Sequence, residues 1–90
     1  MKIYKFLIPK PNIDGYSSVD MPKDAEVVSV GIQDDTMVLW ARLQDRASFL
    51  NKTRVFIVVN TGNDFPFTTG RFIGTVTSSN GIVWHVMEAL

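Results

Sequence analysis

The chain has 90 residues, nine Lys plus Arg against nine Asp plus Glu, and a formal net charge of zero. That length makes one small domain and excludes a multidomain enzyme with a separate cofactor module. Neutrality argues against a partner held mainly by phosphate neutralisation, because counterion release needs a surplus of basic groups. Hydrophobic residues make up 46% of the chain, enough for a single core, although a domain this small buries only roughly 60 to 65% of its unfolded surface and gains from association. With no Cys, disulfides, thiolate nucleophiles and cysteine zinc sites are excluded, and a reducing cytoplasm is compatible with the composition.

Residues 2–8 mix Lys2 and Lys5 with Ile3, Phe6, Leu7 and Ile8. They are too short and interrupted for a signal-peptide apolar region, and read as a first strand ended by Pro9 and Pro11. Residues 17–21 read as a short strand ended by Pro22. Over 26–33, Val28, Val30 and Ile32 fall on one side, with Val27, Ser29, Gly31 and Gln33 on the other. Asp34 and Asp35 stand where a two-residue hairpin turn goes, since Asp tolerates positive φ better than most residues. Over 36–44, Met37, Leu39, Ala41 and Leu43 make a wholly apolar face opposite Val38, Trp40, Arg42 and Gln44, which predicts a strand antiparallel to the preceding one. Residues 47–50 alone suit a helical turn. Residues 52–59 are β-branched and apolar on both faces, as in a central strand covered on both sides.

Residues 71–77 and 82–88 flank Asn80-Gly81, a hairpin signal because both residues accept the left-handed region of a primed turn. The longest uninterrupted apolar run, 55–59, is far below the roughly 18 residues of a membrane span, so a soluble chain without membrane association is expected. Together these elements predict an all-β fold, a small antiparallel sandwich or partly open barrel of six to seven strands, in one domain over 1–90.

Candidate chemistry is sparse. His85 is the only histidine; a metal centre gathers three or four ligands, so a hydrogen-bonded strand histidine is the expected role, and no metal or cofactor is expected. Ser17, Ser18, Ser78 and Ser79 lack a nucleophile-elbow context. Asp34-Asp35 is the one adjacent acid pair, and its place between two alternating runs makes it a turn rather than an acid–base pair. Asn60-Thr61-Gly62-Asn63 follows the central strand; its glycine, hydroxyl and amide groups suit either a structural turn or the lining of a ligand surface. Phe65 and Phe67, around Pro66, suit a lid on the core or exposed interface anchors. Trp40 beside Arg42, Phe72 beside Arg71, and Trp84 beside His85 resemble a stacking platform for single-stranded nucleic acid. That role needs a common exposed face and a cationic groove, so nucleic acid is not the expected partner and core packing is the simpler role for Phe72 and at least one tryptophan.

The segments Val38-Leu39-Trp40-Ala41, Asn60-Thr61-Gly62-Asn63, Arg71-Phe72-Ile73-Gly74-Thr75-Val76 and Ile82-Val83-Trp84-His85-Val86-Met87-Glu88 resemble a family of small all-β proteins of unknown function encoded by tailed bacteriophages and prophages. The resemblance covers almost the whole chain. It implies a phage origin, an all-β fold and no settled activity, and the gene context implies action by binding. The expected protein is therefore a non-enzymatic binding protein in the host cytoplasm, a dimer, that blocks a host defence protein or sequesters a small-molecule ligand such as a signalling nucleotide. A structural or accessory virion component is the alternative. The residues expected on the partner or ligand surface are Asn60, Thr61, Asn63, Phe65, Phe67 and Arg71, with Trp40 and His85.

Overall fold

Period-two patterning resolves into seven strands: β1 (Lys2–Leu7), β2 (Tyr16–Pro22), β3 (Glu26–Gln33), β4 (Thr36–Leu43), β5 (Asn51–Asn60), β6 (Gly70–Thr77) and β7 (Val83–Ala89). The computed structural model describes residues 1–10, 15–44, 50–65 and 70–89, and these contain no helix. Of the expected helical turn, residues 47–49 lie outside the described residues. Every pairing is antiparallel. One sheet runs β1-β4-β3 and the other β2-β5-β7-β6, so the fold is an open sandwich of two sheets rather than a barrel.

The two local hairpins use different turns. Asp34 and Asp35 both take positive φ, 50° and 61°, and Gln33 pairs with Thr36, as a two-residue primed turn requires. At the second hairpin only Gly81 is left-handed, with φ 85°. There the Gly81 N–H donates to the Ser78 carbonyl and the Ser78 N–H to the Ile82 carbonyl. Ser79, Asn80 and Gly81 thus form a three-residue loop with glycine at its bulge, so the expected primed turn at Asn80-Gly81 is replaced by a longer one.

The core joins Leu39 and Ala41 of β4, Val27 of β3, Val19 and Met21 of β2, Phe56 and Val58 of β5, and Val86 of β7. Met37 and Leu43 pack against it, so the apolar face read in β4 is the inward one. In β5, Ile57 and Val59 on the opposite face are buried as well, as expected of a central strand.

Strict alternation fails in β3. The ladder shifts between Val27 and Ser29, and this bulge leaves Val28 exposed while Val27 joins the core and Val30 packs against it. The expected grouping of Val28 with Val30 is therefore corrected: the extra residue puts Val27 and Val30 on the same face. A second bulge lies between Phe72 and Gly74 of β6. Strands β3 and β6 meet along one side of the sandwich, where a Cβ on Gly74 would stand 2.9 Å from Val30 Cγ1; glycine lets the two edges approach. Arg71 Nη2 donates across the same seam to the Val27 carbonyl at 2.6 Å, satisfying an acceptor beside the bulge. On the other side, buried Ser17 donates to the Pro9 carbonyl at 2.7 Å.

At the end of the sandwich where β3 begins, Arg54 and Glu88 both point between the sheets. Arg54 Nε and Nη2 reach Glu88 Oε2 and Oε1 at 2.6 and 2.8 Å. Their side chains are 12% and 10% exposed. Nη1 donates to the Ala25 carbonyl at 2.5 Å, so one guanidinium joins β5, β7 and the entry to β3. Removing one member of such a pair strands the other's charge without water. Arg54→Ala is expected to cost about 3–5 kcal/mol in urea denaturation, and a joint Arg54→Met and Glu88→Leu change less than the sum of its parts. A stability of Arg54→Ala equal to that of the parent would show that the pair contributes nothing.

Candidate functional site

The end of the sandwich opposite the Arg54–Glu88 pair is shaped by three chain segments: the exit of β1, the β3–β4 hairpin and the β6–β7 hairpin. They enclose an open cleft of about 580 Å³, within the roughly 300–1,000 Å³ of small-molecule sites. Its apolar part comes from Leu7, Ile8, Pro9, Ile32, Met37 and Trp84, and its polar part from Lys10, Asp35, Thr36 and Ser78. Local hydrogen bonds hold these pieces. The Ile8 N–H donates to the Met37 carbonyl at 2.9 Å, fixing the exit of β1 on β4. Ser79 Oγ donates to Asp35 Oδ1 at 2.9 Å, tying one hairpin tip to the other. Trp84 and Met37 pack against the core on their inner side and offer aromatic and thioether surface to an occupant. Lys10 is exposed and has no partner among the described residues.

A smaller polar cluster lies near the same end, on the outer face of the four-stranded sheet. His85 Nε2 is 2.8 Å from Thr61 Oγ1 and its Nδ1 is 2.9 Å from Thr75 Oγ1. Each hydroxyl donates or accepts, so either ring tautomer is satisfied and both nitrogens are engaged. A metal or a proton-abstracting role would first require one of these bonds to break. Thr61 reaches the ring because Asn60, Thr61, Gly62 and Asn63 form a turn closed by the Asn63 N–H on the Asn60 carbonyl at 3.2 Å. Gly62, at φ 91°, supplies the left-handed third position.

Of the residues singled out in the sequence, the structure brings Thr61 and His85 together, with Asn60 and Asn63 in the adjoining turn. Phe65 follows that turn half-buried, and Phe67 lies outside the described residues. Arg71 is directed into the β3–β6 seam. Trp40 is on the other sheet, where a Cβ on Gly31 would stand 2.6 Å from its ring carbon Cζ3; the indole lies across Gly31. Phe72 is 55% exposed, so the core role expected of it passes to Trp84 alone. Trp40 and Arg42 belong to one outer face and Phe72 and His85 to the other, Arg42 is paired with Glu26 at 2.6 Å, and Trp84 faces inward. Trp40, Phe72 and Trp84 therefore share no stacking face.

Of the eight singled-out residues, the seven that are described do not line the cleft. Trp84, Met37, Lys10 and Asp35 were missed, and the signal that bore on them was the two hairpin turns, which mark loop tips but not their convergence.

An open two-sheet antiparallel sandwich with a cleft between its hairpin tips is the architecture that this fold and site define. The chain belongs to a family described as a domain of unknown function, DUF7352, whose profile matches residues 1–90. No curated protein and no solved structure matches it.

The Trp40 stack generates a test of its own. Gly31→Ala forces the indole aside and is expected to cost about 1–3 kcal/mol by thermal or urea denaturation. A Trp40→Leu background should remove most of that cost, whereas an equal cost in both backgrounds would place the strain elsewhere.

Proposed function

We propose that this is a non-enzymatic binding protein of bacteriophage origin that works in the cytoplasm of the infected bacterium as a dimer and sequesters a small organic ligand in its cleft. The observation that carries this reading is the cleft itself: a concave, largely apolar site with one tryptophan, one lysine and one aspartate among its described lining residues. Such a lining suits a planar, partly apolar molecule with an anionic substituent, the chemistry of a nucleotide. The phage origin is supported by the resemblance of the Leu39-Trp40-Ala41 strand and the closing hairpin to phage-encoded proteins. Blockade of a host protein draws on the same gene context and uses the surface around the Asn60–Asn63 turn, with Phe65 beside it.

The test uses Trp84 as its reporter. In a Trp40→Phe variant Trp84 is the remaining tryptophan. Titration with a panel of nucleoside monophosphates and cyclic dinucleotides should give saturable quenching for at least one of them. Lys10→Ala should weaken that binding by about tenfold, roughly 1.4 kcal/mol, with no change in melting temperature, because Lys10 is exposed and has no partner among the described residues. Flat titrations across the panel, with no small molecule retained in native mass spectrometry, would remove the small-ligand reading.

A further inference from the structure

The exposed apolar side chains are unevenly placed. Ile3, Tyr4 and Leu7 of β1 are 60%, 44% and 58% exposed, whereas the other two strands of that sheet expose a large apolar side chain at Val28 alone. Among the described residues strand β1 pairs with β4 on one side only, so its other edge carries backbone groups with no ladder partner there. The phase of that ladder follows from one bond. Leu7 pairs with Val38, and the next residue, Ile8, donates its N–H to Met37. Alternation then gives the hydrogen-bonded pairings with β4 to Ile8, Phe6, Tyr4 and Lys2, and turns the N–H and C=O groups of Ile3, Lys5 and Leu7 toward the free edge. What satisfies such a row is another extended strand.

We infer that the β1 edge is the dimer interface, and that a second copy pairs there antiparallel in the register that sets Tyr4 opposite Tyr4; the inference rests on the dimer in the reading above and specifies its surface. Every residue-centred two-fold register keeps the free groups of both copies in hydrogen-bonding phase; a centre at Ile3 leaves Leu7, and one at Leu7 leaves Ile3, well beyond the second strand, so the centre lies at Tyr4, Lys5 or Phe6. The Lys5 register places two ammonium groups directly opposite, which is destabilising. The Phe6 register pairs Tyr4 with the already buried Ile8 and leaves Ile3 uncovered. The Tyr4 register sets Ile3 against Lys5, Leu7 against Met1 and Tyr4 against itself. It covers all three exposed apolar residues and puts no lysine directly opposite another. Lys5 is drawn along the sheet face by Gln33, its Nζ donating to Oε1 at 3.0 Å, which leaves its aliphatic stem to lie on the second copy's Ile3. The result is a continuous six-stranded sheet, β3-β4-β1-β1-β4-β3, with the same patch used by both copies.

The experiment combines light scattering with single-cysteine cross-linking on the full chain, which has no native Cys. The parent protein should run as a dimer at micromolar concentration. Lys5→Pro removes an N–H that β4 does not use, so circular dichroism should be unchanged while the dimer dissociates by at least tenfold. Tyr4 would occupy a non-hydrogen-bonded pair with Cα atoms roughly 4.5 Å apart, within disulfide reach. Tyr4→Cys treated with diamide should therefore form a covalent dimer far faster than Lys5→Cys or Phe6→Cys. Preferential cross-linking at Lys5→Cys or Phe6→Cys overturns the register. A dimer that survives Lys5→Pro overturns the β1 interface and leaves the dimer standing, whereas a monomeric parent overturns both.

Discussion

A single guanidinium, that of Arg54, holds the sandwich at one end. It is bound through two nitrogens to Glu88 and through a third to the Ala25 carbonyl, so β5, β7 and the entry to β3 meet at one side chain. Placing two charges where water is largely excluded is costly, and the cost is offset only when geometry is good and the remaining polar positions are used. The fork geometry of Arg meets both conditions, which the point charge of Lys would not. Arg71 continues the polar row along the seam by bonding the Val27 carbonyl. Every bond in this group joins elements far apart in sequence, so the two sheets are aligned by directional contacts as well as by apolar burial.

That arrangement divides the molecule along its length. At the Arg54 end the strands are fixed to one another from inside. At the other end they run out into hairpin tips, where bonds from Ser79 to Asp35 and from Ile8 to Met37 define the space between them. Binding surfaces are commonly carried by loops on a rigid scaffold, and here the scaffold is anchored at the end remote from the cleft. The His85 cluster serves the tip end in a different way. By bonding Thr61 and Thr75 it joins the turn after β5 to β6 across β7, so the histidine acts as a brace.

Strand positions were legible because burial on one face imposes a period of two, and the stretch from Met37 to Leu43 states that period without interruption. The central place of β5 was equally plain, since a strand apolar on both faces has to be covered on both. The bulge at Val28 was not legible: Val27, Val28 and Val30 fit either face, and only the ladder to Ala41 and Leu39 decides between them. Asn80-Gly81 marked a hairpin correctly but not its loop length, because Ser78 and Ser79 offer hydrogen bonds that lengthen it. The ion pair between residues 54 and 88 and the cleft built from segments near 8, 35 and 84 both depend on which strands cross between sheets, and no local pattern carries that information. His85 stood out for its rarity, whereas its neighbour Trp84, which lines the cleft, looked like ordinary core.

The paired bulges also mark where the chain length can vary. Each adds one residue, Val28 or Ile73, that has no partner across the ladder, while its flanking residues pair with consecutive residues of the neighbouring strand. Deleting Val28 would leave Val27 and Ser29 opposite Ala41 and Trp40 as an ordinary alternating pair, so the stretch from Ser29 to Gln33 keeps its faces. The two positions are not equivalent, because Val28 is exposed whereas Ile73 packs against the core. A one-residue loss at position 28 therefore removes only the local extra twist, and at position 73 it also takes a side chain from the interior.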